Sequence, residues 1–480
     1  MAYGKNKVSF FLNSRVQQIL FLLSAMLASA QSQDILDRVG MKSLYYLPSY
    51  PSARGLARGG AFIATADDGA AGDVNPAGLV IPTSSEIYSH LRISEYIHHE
   101  NAGTRFDPDR MHHHINLMSN LGNFSVSFPL IPIQWLPFFD KHGIAFSLYR
   151  NEMINFKNGF FYDQFTPDDP VYGAATAGII SESKIALKTW GAAFATKLGN
   201  PFTNSKKIIY DYLAIGLSVK YWILDYSLEQ EIYDGGNKNG NVPVDLAYIT
   251  VANTTDINGS IQVGGVLSFQ RLLFLQNVRF GLTMARGGTF EIDATVFTPS
   301  RAVGDTQSIE GAFAFPITRR LRIPTWFGAG VSCAPFGKLH IHSDLVYFRY
   351  SEQKQVLSFI SGQKDASAIV LENKFRFNLG LCYESSERLK CSLGYYRQPN
   401  PAFQTASNSP NLIRFFNQEE TLHHLTAGCE LGILQWGTTY KLYLVASGDL
   451  SPKTFGARML IDDAWINTRE LLIAIKLRFQ

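Results

Sequence analysis

The C-terminal stretch of the chain alternates apolar and polar residues with a period of two. One face of this stretch carries five large apolar residues, namely Leu471, Ile473, Ile475, Leu477 and Phe479. The opposite face holds the charged residues Glu470, Lys476 and Arg478. Because successive side chains of a strand point to opposite faces, this period predicts a half-apolar β-strand.

Further stretches repeat this pattern and also place charged residues on the less apolar face. Lys220 lies on that face near residues 209–228, Asp344 near 338–350 and Arg376 near 371–384. In a soluble sandwich this face would meet water and give the same alternation. The pattern therefore predicts a sheet protein but does not by itself decide between a soluble sandwich and a membrane barrel.

Hydrophobicity and composition narrow the class of protein. After the N-terminal region, no stretch reaches the roughly 20 consecutive apolar residues that a membrane-spanning helix needs. If the protein lies in a membrane, it must therefore cross it with strands. Aromatic residues make up 13% of the chain, charged residues 17%, and there are 39 glycines. These values suit a barrel with aromatic girdles and glycine-rich strands.

The N-terminus resembles a secretory signal peptide. Lys5, Lys7 and Arg15 form a basic region, the short apolar run 19–27 follows, and small residues at 28–30 provide a cleavage site. The alternative is a membrane anchor, for which the apolar run is short. Cleavage before Gln31 is predicted, and it would leave 40 basic and 40 acidic residues. Such a neutral balance argues against a nucleic-acid partner.

Fourteen strands are predicted, and the connections between them alternate in length. The strands are placed near residues 84–94, 112–128, 142–152, 183–198, 209–228, 258–270, 277–296, 323–334, 338–350, 371–384, 388–397, 421–435, 437–447 and 469–480. Connections after the even-numbered strands are short and the others are long. Short turns on one side and long loops on the other are typical of outer-membrane barrels, which have even strand numbers.

The stretch from Arg54 to Leu79 fits neither a helix nor a strand pattern. It is rich in Gly and Ala, so its backbone can approach another backbone or a ligand closely. Its end, residues 75–78, has turn chemistry, and a β-branched residue at Gly78 would strain that turn if Gly78 had a positive φ. Such a segment cannot build a core of its own, which predicts that it sits inside a larger structure.

Several parts of this stretch, in order, resemble the N-terminal plug of FadL-type outer-membrane proteins. The matching residues are Ala53-Arg54-Gly55, Gly59-Gly60-Ala61-Phe62, Asp67-Asp68 and Asn75-Pro76-Ala77-Gly78-Leu79. The group includes long-chain fatty acid and aromatic hydrocarbon channels and the similar PorV-type barrels. Residues 324–350 also resemble middle strands of this family, in which an Asp at the position of Asp344 faces inward.

The resemblance implies an all-β fold, a transmembrane antiparallel β-barrel of about fourteen strands with a plug in its lumen. Residues 1–30 would be the signal peptide, 31–83 the plug and 84–480 the barrel. The candidate plug and gate residues are Arg54, Gly59, Gly60, Asp67, Asp68, Asn75, Pro76, Ala77 and Gly78. The polar strand faces would line the lumen, with Lys220, Asp344, Arg376, Lys476 and Arg478 directed inward.

The function that the resemblance implies is passive uptake of small hydrophobic molecules across the outer membrane of a Gram-negative-type bacterium. The solute would be of the long-chain fatty acid or hydrocarbon type. Membrane lipids and the outer-membrane assembly machinery are the other expected partners, and the penultimate Phe479 is an imperfect match to the terminal aromatic residue of such barrels. The apolar patch at residues 135–139 would lie on the periplasmic side.

Two other functions stay open on the sequence alone. A PorV-like barrel would anchor or shuttle secreted proteins, with secretion-system components as partners and without small-molecule transport. A porin would pass polar solutes. The sequence has no nucleophile elbow, P-loop, zinc signature or Cys-x-x-Cys pair, so neither an enzyme nor a cofactor is predicted.

His340, His342 and Asp344 share one strand face and raise the alternative of a metal site. Strand geometry separates His340 from Asp344 by about 13 Å, too far for all three to bind one ion. A polar lumen wall is therefore the preferred interpretation. The histidines at 98–99 and 112–114 are expected at the surface. Asp67 and Asp68 lack EF-hand spacing and are expected to bind backbone groups or basic residues.

The four cysteines are Cys333, Cys382, Cys391 and Cys429, and Cys382 and Cys391 flank a predicted hairpin turn. A turn centred on residue 386 pairs Leu381 with Cys391 and keeps apolar residues on one face. A shift of one residue would pair the two cysteines but would turn polar residues towards lipid. The first register is predicted, with Cys382 towards the lumen and Cys391 towards lipid.

Overall fold

A computed structural model describes most of the plug and the barrel wall. The described residues are 52–100, 112–131, 144–165, 176–198, 207–234, 245–298, 313–352, 369–371, 373–386, 389–398, 403–405, 422–432, 434–442 and 465–479. The predicted signal peptide, residues 31–51 and the apolar patch at 135–139 lie outside this part of the chain.

The N-terminal described segment contains three short helices joined by irregular chain. They are α1 (Ala53–Ala57), α2 (Ala71–Val74) and a 3₁₀ helix (Pro76–Val80). Ser52 caps α1, since its Oγ accepts a hydrogen bond from the backbone N–H of Gly55 at 3.2 Å. No helix in the described residues is long and apolar enough to cross a membrane.

Eighteen strands follow in the described part of the chain. They are β1 (Ser85–Glu100), β2 (His112–Ile131), β3 (Ile144–Phe165), β4 (Thr176–Leu198), β5 (Ile208–Asp234), β6 (Asp245–Leu272), β7 (Leu275–Ala285), β8 (Thr289–Thr298), β9 (Phe313–Arg322), β10 (Trp326–Phe336), β11 (Leu339–Phe348), β12 (Ile369–Leu371), β13 (Lys374–Glu384), β14 (Leu389–Gln398), β15 (Phe403–Thr405), β16 (Leu422–Leu431), β17 (Leu434–Leu442) and β18 (Trp465–Phe479).

Fourteen of these strands pair into one antiparallel circuit. Its order is β1-β2-β3-β4-β5-β6-β7-β10-β11-β13-β14-β16-β17-β18, and β18 pairs back onto β1. The hairpin β8–β9 joins the wall through β6, while β12 and β15 form a separate pair. The fold is therefore an all-β transmembrane barrel of fourteen strands, as predicted, with the plug inside.

One predicted strand, 277–296, is divided in the structure. β7 ends at Ala285 and β8 begins at Thr289, with Gly287 and Gly288 between them. A Cβ on Gly287 would lie 2.0 Å from the carbonyl oxygen of Ile323, so only glycine allows the chain to pass here. β9 was not predicted, because the stretch from Ile317 to Pro324 is basic and ends in proline.

Strand lengths differ around the barrel. β3, β4, β5 and β6 have 22, 23, 27 and 28 residues, whereas β7, β10, β13 and β17 have 9 to 11. A tilted transmembrane strand needs only about 9–11 residues. The long strands therefore extend beyond the membrane, where neither face meets lipid. This explains why the first half of β6 was missed in the sequence.

Candidate functional site

Asp344 of β11 holds the first turn of the plug. Its Oδ2 accepts hydrogen bonds from the backbone N–H groups of Phe62 (2.6 Å) and Ile63 (2.9 Å). Asn378, its register partner on β13, donates from Nδ2 to the carbonyl oxygen of Gly60 at 3.0 Å. Asp344 is 2% exposed. These three hydrogen bonds attach this side of the plug to β11 and β13.

Arg54 of α1 bridges the plug to the barrel wall. Its guanidinium lies 2.5 Å from Asp67 Oδ1 and 2.9 Å from Glu430 Oε2 of β16. Glu430 in turn lies 2.5 Å from the Nζ atom of Lys476 of β18. These four side chains, two basic and two acidic, form a charge cluster between plug and wall. A mutual arrangement of this kind compensates the cost of removing each charge from water.

The adjacent carboxylates Asp67 and Asp68 have opposite pKa shifts. Burial would raise the pKa of Asp67, but the positive charges of Arg54 and Arg58 hold it well below its usual range. Burial raises the pKa of Asp68, and the neighbouring Asp67 charge adds to this. Asp68 accepts a hydrogen bond from Ser52 Oγ at 2.6 Å, so it binds within the plug instead of to the wall.

A second buried ion pair joins the plug to β5. Lys220 Nζ pairs with the carboxylate of Asp73 of α2 and also donates to the Asp73 carbonyl oxygen at 3.1 Å. Asn151 of β3 donates from Nδ2 to Asp73 Oδ2 at 2.7 Å. The sequence offered no motif that marks Asp73, because its partners lie on distant strands.

Asn75 organises the end of the plug. Its Nδ2 donates to the carbonyl oxygens of Ile63 (2.9 Å) and Gly265 of β6 (3.2 Å), and its Oδ1 accepts from the backbone N–H of Ala77 (3.2 Å). The side chain therefore caps the 3₁₀ helix and ties it to the wall. Pro76 occupies the first position of that helix, where a missing N–H costs nothing.

The plug lies against glycines of the barrel wall. A Cβ on Gly216, Gly281, Gly380 or Gly394 would lie 2.4, 2.6, 2.5 or 2.0 Å from a backbone atom of the plug. Any side chain at these positions would collide with the plug. Close backbone contact, and not side-chain interdigitation, therefore defines this interface.

Glycines within the plug are needed for two different reasons. Gly59 and Gly60 have φ of 63° and 76°, a region that favours glycine. Gly78 is not among the positive-φ residues described, so its backbone conformation does not require glycine. Gly78 is instead required for space, since a Cβ there would lie 2.1 Å from the carbonyl oxygen of Ala66.

The remaining predicted lumen residues have less direct roles. Arg376 is 6% exposed, and its guanidinium lies 5.4 Å from the centre of the Phe348 ring. The backbone of Arg478 pairs with Glu86, and its side chain lies outside the part that is described. His342 is buried, and no metal-binding cluster of His, Cys, Asp or Glu occurs among the described residues.

The barrel wall divides between β2 and β3. The two strands pair up to Asn123 and Asn151, then continue without further pairing to each other. Beyond this point β2 pairs with β1 and β3 pairs with β4, and both β1–β2 and β3–β4 show register shifts near the division. We call this division the fork. It begins at Asn151, the residue that holds Asp73 of the plug.

Polar side chains line the β2–β3 fork. Asn155 donates from Nδ2 to Glu152 Oε1 at 2.6 Å, and Asn120 donates to the same oxygen. Arg92 donates from its guanidinium to the Glu152 carbonyl oxygen at 2.6 Å. These polar groups form hydrogen bonds with one another at the gap, where β2 and β3 no longer pair through their backbones.

An apolar cluster lies on the lumen side, beside the fork. Its buried members are Ile185, Leu187, Trp222, Leu224, Tyr226, Phe290, Ile292 and Ile323. Met153, the extra residue at the register shift in β3, packs against it. This cluster was not predicted from the sequence, because Lys220 marked the face that also carries Trp222 as the less apolar one. The signal was present in the alternation of Trp222, Leu224 and Tyr226.

These features define a plugged, fourteen-stranded transmembrane barrel with an apolar lumen cluster. No family model and no curated protein matches the sequence. Solved structures do match. A FadL homologue of Pseudomonas aeruginosa is similar with a TM-score of 0.55 at 10% identity, covering 90% of this chain and 98% of that one.

Two hydrocarbon channels are similar to a comparable extent. The toluene transporter TbuX of Ralstonia pickettii has a TM-score of 0.50 at 12% identity, and the match covers 90% of this chain and 99% of that one. A mutant of the monoaromatic hydrocarbon channel TodX has a TM-score of 0.50 at 13% identity, and the match covers 90% of this chain and 100% of that one. The chain thus shares the barrel fold of these solved structures.

Proposed function

We propose that the protein mediates passive uptake of small hydrophobic molecules across the outer membrane of a Gram-negative-type bacterium. The solute would be of the long-chain fatty acid or hydrocarbon type. The names of the similar structures, a FadL homologue and a toluene transporter among them, support this class of function. The proposal also includes residues 1–30 as a cleaved signal peptide, 31–83 as the plug and 84–480 as the barrel.

The single observation that carries this proposal is the position of Met153. This residue lies at the register shift where β3 separates from β2, and it packs against the apolar lumen cluster. The cluster members are buried against one another, whereas Met153 is only partly buried and offers apolar surface to a solute. Apolar surface removed from water contributes roughly 25 cal/mol per Å², so Met153 favours contact with an apolar solute over contact with water. A solute held there would be next to the β2–β3 fork.

The height of the fork supports a route into lipid. Residues 123–131 of β2 lie between the fork and the end of the strand. At about 3.3 Å per residue and a tilt near 45°, they rise roughly 20 Å, which is within the apolar band of about 25 Å. A solute could therefore leave the lumen sideways into the outer leaflet without displacing the plug.

A reversible cross-link across the fork tests the route. Asn120 and Asn155 both bind Glu152 from opposite sides of the fork, so the double variant Asn120→Cys/Asn155→Cys can be bridged by a short dithiol-reactive linker. We expect bridged cells to take up a radiolabelled hydrophobic tracer more slowly, and a linker with a cleavable bond to restore the rate after cleavage.

The matched control bridges β2 and β3 below the fork. Val126 and Leu148 are register partners there, so Val126→Cys/Leu148→Cys joins strands that already pair. Uptake should be unchanged by this bridge. If both bridges leave uptake as it was, and deletion of the gene also leaves it as it was, a barrel that anchors or shuttles secreted proteins becomes the better hypothesis.

A further inference from the structure

Cys391 and Cys429 lie directly opposite each other on neighbouring strands. Cys391 belongs to β14 and Cys429 to β16, and the two residues are register partners. Their Sγ atoms are 2.7 Å apart, and both cysteines are free thiols in this structure. Directly opposed residues in an antiparallel pair have Cα atoms about 4.5–5.5 Å apart, which a disulfide accommodates without backbone movement.

The other two cysteines have different neighbours. Cys382 is buried on the lumen side, opposite Ser392, and accepts a contact from the Arg58 guanidinium at 3.8 Å. Cys333 pairs in register with Ile341. All four cysteines of the chain lie in the described residues, so Cys391 and Cys429 are the one directly opposed pair.

We propose that Cys391 and Cys429 form a disulfide in the exported protein and that it joins two of the strands against which the plug lies. Gly59 of the plug contacts both strands: it donates its backbone N–H to Thr426 Oγ1 of β16 at 2.9 Å, and it lies against Gly394 of β14. Glu430, which binds Arg54, directly follows Cys429. The bond would therefore fix the spacing of β14 and β16 behind the plug.

The position of the pair suits oxidation from the periplasm. Cys391 is close to the start of β14 at Leu389, and Cys429 is close to the end of β16 at Leu431. Both ends lie at the short turns, which face the periplasm in barrels of this type. That compartment permits disulfides. The inference rests on the proposed outer-membrane location and does not depend on the solute.

Bond formation requires a disulfide donor, such as a periplasmic thiol–disulfide exchange protein or oxidised glutathione. The Cys391 thiol loses its proton, and the thiolate attacks one donor sulfur, which releases the other donor sulfur as a thiol. The Cys429 thiolate then attacks the Cys391 sulfur and releases the second donor thiol. Two electrons have passed to the donor, and the barrel has lost two hydrogen atoms.

Thiol counting in the full-length protein tests the proposal. Cells that export the protein are quenched with an alkylating reagent before extraction, and the protein is then denatured without reductant. We expect Cys333 and Cys382 to be alkylated, and peptide mass spectrometry to find residues around 391 and 429 linked until a reductant is added. Alkylation at all four cysteines would overturn the proposal.

A variant in which one thiol is moved by one residue along β14 tests whether the link depends on strand register or only on the presence of two thiols. In Cys382→Ser/Cys391→Ser/Ser392→Cys the thiol moves by one residue to the inner face, where its register partner on β16 is Gly428 and the thiol of Cys382, its partner on β13, is removed. In a glutathione buffer, the purified reduced protein should form the natural link, and this variant should not form a link to Cys429. Equal linking in the two proteins would also overturn the proposal. Tracer uptake is measured in parallel. A failure of the proposed uptake function can therefore be distinguished from the absence of the disulfide.

Discussion

Lys220 of the wall and Asp73 of the plug form an ion pair in which both side chains are almost fully buried, at 2% and 3% exposure. Burial of two charges is tolerated only when each has its partner and further hydrogen bonds. Asn151 and the Asp73 carbonyl oxygen supply those bonds. The pair therefore specifies where α2 sits inside the barrel.

Removal of Lys220 alone should loosen the plug. In Lys220→Met the Asp73 carboxylate stays buried without its cation, at a cost of about 3–5 kcal/mol. We expect higher small-ion conductance through the purified protein in planar bilayers. The double variant Lys220→Met/Asp73→Asn should conduct less than the single variant. Lys184→Met, which removes an exposed lysine from β4, serves as the control.

Filling a wall glycine should displace the plug and spare the barrel. A Cβ at Gly216 would lie 2.4 Å from the backbone N of Ala77, whereas one at Gly265 meets only ordinary contacts, the nearest at 3.8 Å. Overpacking costs about 1–3 kcal/mol, so Gly216→Val should raise conductance while heat-modifiable mobility on gels persists. Gly265→Val should match the parent protein. Loss of heat-modifiable mobility in Gly216→Val would show that the contact supports the barrel instead.

The charge cluster at Arg54 should weaken only in acid. The pKa of Asp67 is held below its ordinary value, so its stabilising effect is fully present above about pH 4 and is lost as the pH falls further. We expect labelling of a plug cysteine, introduced as Thr65→Cys, to be slow at neutral pH and faster in strong acid. In Asp67→Asn the labelling rate should be higher at neutral pH and less dependent on acid. An unchanged pH profile in that variant would contradict the assignment.

Deletion of residues 54–79 should open the lumen. These residues make the contacts with Asp344, Lys220 and Glu430 described above, and the closed strand circuit does not include them. The deletion should increase conductance and change tracer uptake while the barrel remains heat-modifiable. If conductance and uptake both stay the same, the plug does not gate passage.

Export can be checked at the N-terminus. Cleavage after Ala30 should give a mature chain that begins at or near Gln31 and fractionates with outer membranes, because the small residues at 28–30 fit signal peptidase. N-terminal sequencing of the purified protein provides the measurement. Retention of Met1 would count heavily against export by a cleaved signal.

The period-two pattern, together with the alternating connection lengths and the family resemblance, predicted the fourteen barrel strands, because lipid on the outside forces one apolar face on each strand. It was not sufficient for register. The hairpin of β13 and β14 pairs Leu381 with Leu393 and Tyr383 with Cys391, two residues from the prediction. A shift of two preserves the faces, so Cys382 is buried and Cys391 exposed as expected. Periodicity cannot distinguish registers that differ by two.

The plug partners could be predicted only in part. Asp344 was expected on an inner face, but its acceptance of two plug N–H groups follows from the shape of the loop at Phe62. Asp73 and the β2–β3 fork were not foreseen. The fork depends on where two strands stop pairing, and this is a long-range property that a local pattern does not contain.

Because the strands differ in length, the barrel wall is taller on one side than on the other. β6 has 28 residues, which is roughly 90 Å of strand and about 65 Å of height at a 45° tilt. β17 has 9 residues and barely crosses the apolar band. On the side of β3 to β6 the sheet therefore extends well beyond the apolar band. In the proposed outer-membrane location, a large molecule that approaches from outside the cell would meet this sheet before it reaches the mouth of the barrel.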